Sequence, residues 1–592
     1  MQNRKLKLLW DTVKLSYSNN TFKMLVIQCV SVLYGLSYGV NTWLTKNFIN
    51  SVNQFARSEV NLDKVILLLF ALIFSIFFGY FTNKIINHYH SAFASQIEVQ
   101  ANKKLFHKLK DAELILFETS DFNDRVEAAF DITQPMGYVG MQIIDTFTAT
   151  LTGIFSSAMV LYSVEPSLTF ILLIFVIPNF YQFSAKLDTR EESKEKLARA
   201  SRVADMAESM LIAPEFYKET RSLSSISGIK SHFYKSLDDL VHAEVQSQHE
   251  AQRHDLRFQV LSLIADISAI SLASYLLAAG KIDIGTFTAC LSAIMSFRFL
   301  VEGFFFNELG MVNNYYNDLV QYHELINEDW KQRKPVILSE APRIEFKNVS
   351  FSYPKTDEKV IDNLSFVLEP GQKLSVVGYN GSGKTTLTKL ATGLYIPDEG
   401  DVYIDGHNTR EYRVDHGFSA LLQDFLTYKM MLKDNIALGR GALTSQKNRL
   451  SEEDERALEQ RLALLDTTFS HPKLSPDTCL STEFGGINLS GGWLQLIALM
   501  RSLYAKSSFI ILDEPSSAID PDKEYVLTQM LLDEVIGKTS IIVTHRMGVC
   551  QFCDSILVLE NGQGTELGPF SELYQQGTQF SLYFKEQEKW YE

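Results

Sequence analysis

Cysteine is scarce in this chain, five among 592 residues, too few to say much about its redox compartment. Cys29 and Cys290 lie inside apolar segments and Cys479 is isolated. Cys550-Gln-Phe-Cys553 has C-x-x-C spacing, but no second ligand pair stands at zinc-like distance and the pair runs straight into an apolar strand, so no function attaches to it. Positive charge is short too. A net charge of -15 lacks the basic footprint of a duplex binder and excludes nucleic acid as the main partner. A cleavable signal is missing: the first apolar segment begins near Phe22, is too long for an h-region and has no clean small-residue cleavage site. Beyond about residue 310 there are no long apolar runs at all, only short strand-like groups, although the hydrophobic fraction of 46% is ordinary. A chain of this length is too long for one core, and the uneven placement of its apolar residues predicts at least two domains.

The first half carries the long runs. A span needs about 20 mostly apolar residues, and six segments qualify, roughly 22–45, 65–86, 138–162, 166–184, 258–279 and 284–306. Connections after the second and fourth are long, about 87–137 and 185–257, rich in charge and free of turn clusters, so they read as helices continuing past the bilayer. They hold Lys103, Lys104, Lys108 and Lys110 in one and Lys186, Arg190, Lys194, Lys196, Arg199 and Arg202 in the other, whereas the outer loops have few basic residues. With the basic tail (Arg4, Lys5, Lys7, Lys14, Lys23), that bias puts the N-terminus, both long connections and everything after the sixth span in the cytoplasm. Leu6, Leu8, Leu9, Trp10 and Val13 among those basic residues suit an amphipathic helix in the membrane interface. Asp145, Asp266, Arg298 and Glu302 are charges inside spans. Arg298 and Glu302, four apart, can pair on one helical face or line a polar path. His88 and His90 face different sides of a helix and read as an interfacial flank.

Polar residues and two prolines at Glu328–Pro342 mark a linker, which divides the chain into 1–335 and 342–592. Ile344 to Tyr353 alternates as a strand, and Leu374-Ser-Val-Val-Gly378 reads as a buried one. It runs into Gly378-Tyr-Asn380-Gly381-Ser382-Gly383-Lys384-Thr385-Thr386, a G-x-x-x-x-G-K-[ST] loop followed by an apolar helix. Backbone amides of such a loop and of the helix start cradle phosphates, Lys384 adds a charge beside them, and the Thr385 hydroxyl can ligate Mg2+. Asp513 ends the apolar strand Phe509–Leu512, where it can hold Mg2+ through water. Glu514 follows it, placed to orient and deprotonate an attacking water. His545 closes the strand Ser540–Thr544 and can reach the γ-phosphate.

Together these residues resemble the ABC transporter superfamily, along nearly the whole chain. Leu489-Ser490-Gly491-Gly492 resembles its signature loop, Gln423 its Q-loop that senses Mg2+, and Ser517-Ala518-Ile519-Asp520 its D-loop; Tyr353 stands where such proteins stack adenine. The resemblance implies a multidomain chain: a six-helix transmembrane domain of exporter type over 1–335, then an α/β P-loop ATP-binding cassette domain over 342–592, with ATP and Mg2+ as cofactors. It also implies that Ser490, Gly491 and Gly492 of one subunit close over ATP held by the other. One chain holds one loop of each kind, so a second half-transporter is required, a homodimer favoured and a heterodimer possible. Phe117–Asp124 and the stretch before Tyr217-Lys218-Glu219-Thr220-Arg221 resemble the coupling helices that dock on the ATPase. One departure stands out: the fifth signature position, usually Gln, is Trp493, with Leu494 and Leu496 after it, and an indole there could alter nucleotide closure or pack against the partner.

The resemblance makes the chain an ATP hydrolase coupled to transport in a bacterial plasma membrane, in contact with lipid and an unidentified transported substrate. Its general pattern is nearest to bacterial peptide or bacteriocin exporters. No peptidase domain fits before Phe22, so leader cleavage is not expected. Other readings on the same scaffold are a lipid or drug exporter and a siderophore importer; from a different class, an ATP-gated regulator or channel.

Overall fold

A computed structural model describes residues 10–14, 17, 21–164, 166–223, 225–330, 332–440, 456, 458–460, 462, 474–505, 507–517, 519, 521–575 and 577–589. They form two compact units. One takes the described residues up to Lys110 together with Asp124–Glu328; the other takes Asp111–Asn123 and everything from Asp329 onward.

The first unit is helical. Thr21–Ala56 and Leu62–Leu109 run the full length of the first two apolar segments and beyond, and the second of them, 48 residues, is roughly 72 Å long against a bilayer core of about 30 Å. The expected extension past the membrane is therefore the same helix. Thr133–Asp145 continues into Leu151–Val164 through a π turn at Thr146–Thr150, and Ile284–Glu302 continues through a second at Gly303–Leu309. Periodicity foretold neither turn. Five stretches among the described residues are long and apolar enough to span: Thr21–Ala56, Leu62–Leu109, Thr133–Ser163, Gln259–Ala278 and Ile284–Asn327. The segment expected at 166–184 lies in the helix Pro166–Ile212, with the side chains at 167, 168 and 170–175 outside the described set. Of the expected interfacial helix, only Trp10 to Lys14 and Tyr17 are described; Trp10 is exposed and Val13 buried. The second long connection turns at a short helix, Pro214–Ser222, opened by its proline. That helix contains Tyr217–Arg221 instead of preceding it, a shift from the expected position.

Charged side chains in the spans find one another. Arg298 Nη1 lies 2.5 Å from Asp266 and its Nε 2.9 Å from Glu302, so the pair expected on one helical face is a triad across two helices. Asp145 accepts from Ser31 at 3.3 Å and faces His90 Nδ1 at 3.4 Å. His90 is thus turned inward from the flank expected for it.

The second unit is built on a six-stranded sheet whose central strands are all parallel. In spatial order these are Gln563–Gly568, Ser555–Glu560, Lys373–Val377, Thr539–Val543, Phe509–Asp513 and Phe418–Leu421. Phe509–Asp513 and Thr539–Val543 are buried at every residue, as strands covered on both faces must be. An antiparallel sheet of Lys359–Leu368, Ile344–Ser352, Glu399–Ile404 and His407–Asn408 packs beside it, and the shared core includes Phe346, Phe366, Leu390, Phe509 and Ile541. The expected linker is not wholly irregular. Lys334–Ile337 within it pairs in parallel with Tyr412–His416.

Candidate nucleotide site

Every central strand of the parallel sheet delivers a polar group at its carboxyl end, the edge where open α/β sheets bind ligands. Lys373–Val377 runs into the glycine loop, and the helix Lys384–Ala391 opens directly after it. Only glycine fits at two of the loop's positions. A side chain at Gly378 would meet the Leu559 carbonyl at 2.2 Å, and Gly383 sits at φ +100 with Val360 O 2.7 Å from where a Cβ would be. Lys384, 6% exposed, folds back on its own loop and donates to the carbonyls of Gly378 and Tyr379 at 2.9 Å each. Burial holds its ammonium below the usual lysine range, with Glu514 and Asp513 opposing. Asn380 and Gly381 are exposed on the loop and Ser382 is buried within it. Tyr353 donates to or accepts from Thr386 at 3.2 Å, placing its ring beside the loop.

Asp513 and Leu512 pair with Val543 and Ile542, so the next strand ends level with this one. Both Asp513 carboxylate oxygens are buried without a protein hydrogen bond of normal geometry. Burial pushes this acid up to about 6; Thr385 and Lys384 oppose the rise, and Glu514 and Asp424 add to it. Glu514 turns the backbone sharply, at φ +51, and its N–H donates to Val543 O at 2.9 Å. His545 Nε2 is 3.0 Å from Glu514 Oε1. Burial and then Lys384 lower the imidazole's pKa, with Glu514 pulling the other way. Gln423 is exposed two residues past the strand Phe418–Leu421, whose last residue pairs with Leu512.

The structure therefore collects Tyr353, the loop from Gly378 to Thr386, Gln423, Asp513, Glu514 and His545 at one sheet edge. Ser490, Gly491 and Gly492 stand apart from that cluster. Ser490 caps the helix Gly491–Tyr504, both it and Gly491 are exposed, and a side chain at Gly491 would meet open space. Among the described residues no hydrogen bond or ion pair joins these three to the loop, Asp513 or Glu514. Of the D-loop, Ser517 and Ile519 are described, and Ala518 and Asp520 lie outside the described residues.

Residues 361–517 match the family model "ABC transporter". Over 578 residues the chain is 27% identical to the subtilin transport ATP-binding protein SpaT of Bacillus subtilis, covering 96% of this chain and 92% of that one. It is 31% identical over 338 residues to an ATP-dependent lipid A-core flippase of Idiomarina loihiensis, covering 54% and 56%. A solved structure of a bacterial Atm1-family ABC exporter with ATP bound superposes at a TM-score of 0.80, with 18% identity, 96% of this chain and 99% of that chain. This chain carries an ABC transporter ATPase domain. Its fold is that of an exporter-type half-transporter, so it is a multi-pass protein of the plasma membrane with its ATPase unit in the cytoplasm, and it works as a dimer that hydrolyses ATP.

The half-transporter's donor set suits a hard dication. Among the described residues no cluster of three or more His, Cys, Asp or Glu side chains is placed to hold a metal. Thr385, Gln423 and Asp513 instead offer the hydroxyl, amide and carboxylate oxygens that Mg2+ prefers, and the orphaned Asp513 oxygens lack a partner of another kind.

Trp493 corrects one expectation. The indole is 4% exposed and sits in the core of its own subunit with Leu421, Leu496 and Leu512, so it neither lies over nucleotide nor packs against a partner. Two residues along, Gln495 donates to Glu514 O at 2.8 Å and contacts Ser517 Oγ at 3.1 Å, tying the signature helix to the hydrolytic turn. Sequence reasoning passed over Gln495, although its place on the first turns of the signature helix was a signal. It also missed Tyr395, whose hydroxyl donates to Glu118 of the segment 111–123 and lies 3.0 Å from Lys389 on the phosphate-loop helix. Burial and Glu118 raise the Tyr395 pKa, which keeps it a donor.

Proposed function

We infer that this half-transporter exports a peptide from the cytoplasm as a homodimer driven by ATP. One observation carries the reading: a complete hydrolytic set at one sheet edge with Ser490 and Gly491 exposed elsewhere on the same unit. The loop amides and Lys384 hold the phosphates, and Tyr353 stacks on adenine. Thr385, Gln423 and Asp513 would hold Mg2+, which when bound would neutralise charge on the phosphates. Glu514, steered by His545 through their 3.0 Å contact, orients the attacking water and takes its proton. Ser490, Gly491 and Gly492 of the second subunit close the site from the far side, their helix start facing the γ-phosphate. A peptide cargo is supported by the general pattern of the chain and by a match to SpaT, named for subtilin transport, over nearly both full lengths. A lipid cargo is the second reading, favoured by similarity to a protein named for flipping the lipid A core over about half of each chain.

The test is ATP hydrolysis by the purified protein in lipid, beside Glu514→Gln, titrated with peptides, lipids and drugs. Turnover should fall at least about a hundredfold in the variant while ATP still binds, and peptides should stimulate the wild type. Stimulation by lipids alone would move the assignment to the second reading. Accumulation of cargo in inverted vesicles separates a pump from an ATP-gated channel, which cannot build a gradient.

A further inference from the structure

The helix Gln579–Glu588 lies outside every motif named above, yet its last turn reaches His545. His545 stands two residues beyond the strand Thr539–Val543, so strand pairing does not fix its backbone. Gln587 supplies the missing pairing. Its Nε2 donates to the His545 carbonyl at 2.7 Å and its Oε1 accepts from the Met547 N–H at 2.6 Å. A carbonyl on one residue and an N–H two residues on are what a neighbouring parallel strand engages. A primary amide presents a donor and an acceptor side by side, so this side chain stands in for one residue of a strand the sheet does not provide. On the other flank, Arg546 donates to the carbonyls of Ser516 and Ile519 at 3.1 and 3.3 Å, and its own N–H takes Thr544 Oγ1 at 2.9 Å. Thr544–Met547 is thereby held from both sides while the imidazole faces Glu514.

The helix is itself firmly seated. Tyr583 packs edge-on against Tyr379 of the glycine loop at 4.8 Å and donates to Glu560. Glu566 accepts from the N–H groups of Gln579 and Phe580 at 2.7 and 3.0 Å, and the Phe580 ring is fully buried. Gly378, Asn380, His545, Tyr583 and Gln587 line a cavity of about 500 Å3 between helix and loop.

We propose that Gln587 is a positioning residue for ATP hydrolysis: by clamping the backbone on both sides of Arg546 it aims the His545 imidazole at Glu514, so the C-terminal helix sets turnover without touching nucleotide. This rests on the role given to His545 above. The test uses full-length protein in lipid. Gln587→Met keeps the side chain's length and removes both bonds; Gln587→Glu keeps the acceptor for Met547 and removes the donor to His545. Turnover should fall about tenfold in Gln587→Met, the worth of one or two hydrogen bonds, with KM for ATP unchanged within about twofold. Gln587→Glu should also lose turnover at constant KM, and it carries the comparison if the methionine variant does not fold. In a His545→Ala background neither change should reduce turnover further, because no imidazole remains to be aimed. Equal losses in both backgrounds, a rise in KM with turnover intact, or full turnover in both Gln587 variants overturns the proposal. Full turnover in His545→Ala alone is a different failure: it removes the role of the histidine itself, and the positioning role with it.

Discussion

At Glu514 the backbone enters a left-handed conformation that a side chain with a Cβ adopts at a cost of about 1 kcal/mol or more. The turn is kept because it swings the carboxylate off the strand axis, while Asp513, one residue earlier, stays buried in line with the sheet. Two adjacent acids thus acquire separate environments from one backbone angle. The buried pair Cys550 and Cys553 shows the reverse case, side chains whose surroundings silence them. Burial pushes the Cys550 thiol up to about 11 and Cys553 further still, and Cys550 lies 3.2 Å from Ser375 Oγ. Thiolate is the reactive form. Near pH 7.5 the folded protein should therefore leave both thiols unlabelled by a maleimide that reaches Cys479, and labelling should appear only on denaturation, as read by mass spectrometry of the peptides. Labelling of Cys550 in the folded state would contradict the burial.

The elements show where sequence was a good guide. Strands buried on both faces read as unbroken apolar runs, and the residues after them follow from phosphate chemistry, so the sheet edge carrying Asp513, Glu514 and His545 could be read directly. Helical faces could not. Trp493 occupies a motif position that suggested a partner-facing role, but which side of the signature helix turns inward depends on residues distant in sequence, Leu421 and Leu512 among them. Restoring the family's usual residue by Trp493→Gln should cost about 3 kcal/mol of stability, from the lost ring and a buried amide, without raising ATP turnover. Denaturant unfolding of the wild type and the variant checks the first part and steady-state hydrolysis the second; a faster, equally stable variant would sink the assignment. The π turns at Thr146–Thr150 and Gly303–Leu309 were illegible for a related reason. Their single inserted residue leaves the apolar pattern almost unchanged.

For the whole molecule, the separation of Ser490–Gly492 from the glycine loop makes an arithmetic statement about the dimer. On the reading proposed above, each site takes its loop from one chain and its signature from the other. Lys384→Ala and Ser490→Arg should each abolish turnover as homodimers, yet co-assembled they should recover activity, because both lesions fall on one site and leave the other intact. Mixed dimers purified through two different tags would show it; no recovery would mean that each chain completes its own site. The need for a second chain could be inferred from counting motifs. Gln587 and Tyr395 were not, because each acts through a partner more than forty residues or more than two hundred residues away and has no local signature.

The thirteen-residue run Asp111–Asn123 belongs to the ATPase unit although it is threaded between two membrane helices. Ile115 packs on the main ATPase core, the Phe122 ring lies tilted 6.2 Å from Trp330, and Glu118 meets Lys389 at 3.6 Å. An ATPase domain cut out at residue 329 is consequently an unfinished object, with an apolar notch where Ile115 belonged and a tyrosine hydroxyl at 395 that has lost its acceptor. Anyone exchanging motor domains between relatives would be transplanting a lock without its key. The inheritable module is discontinuous, and substitutions along 111–123 must keep step with a surface some two hundred and eighty residues downstream.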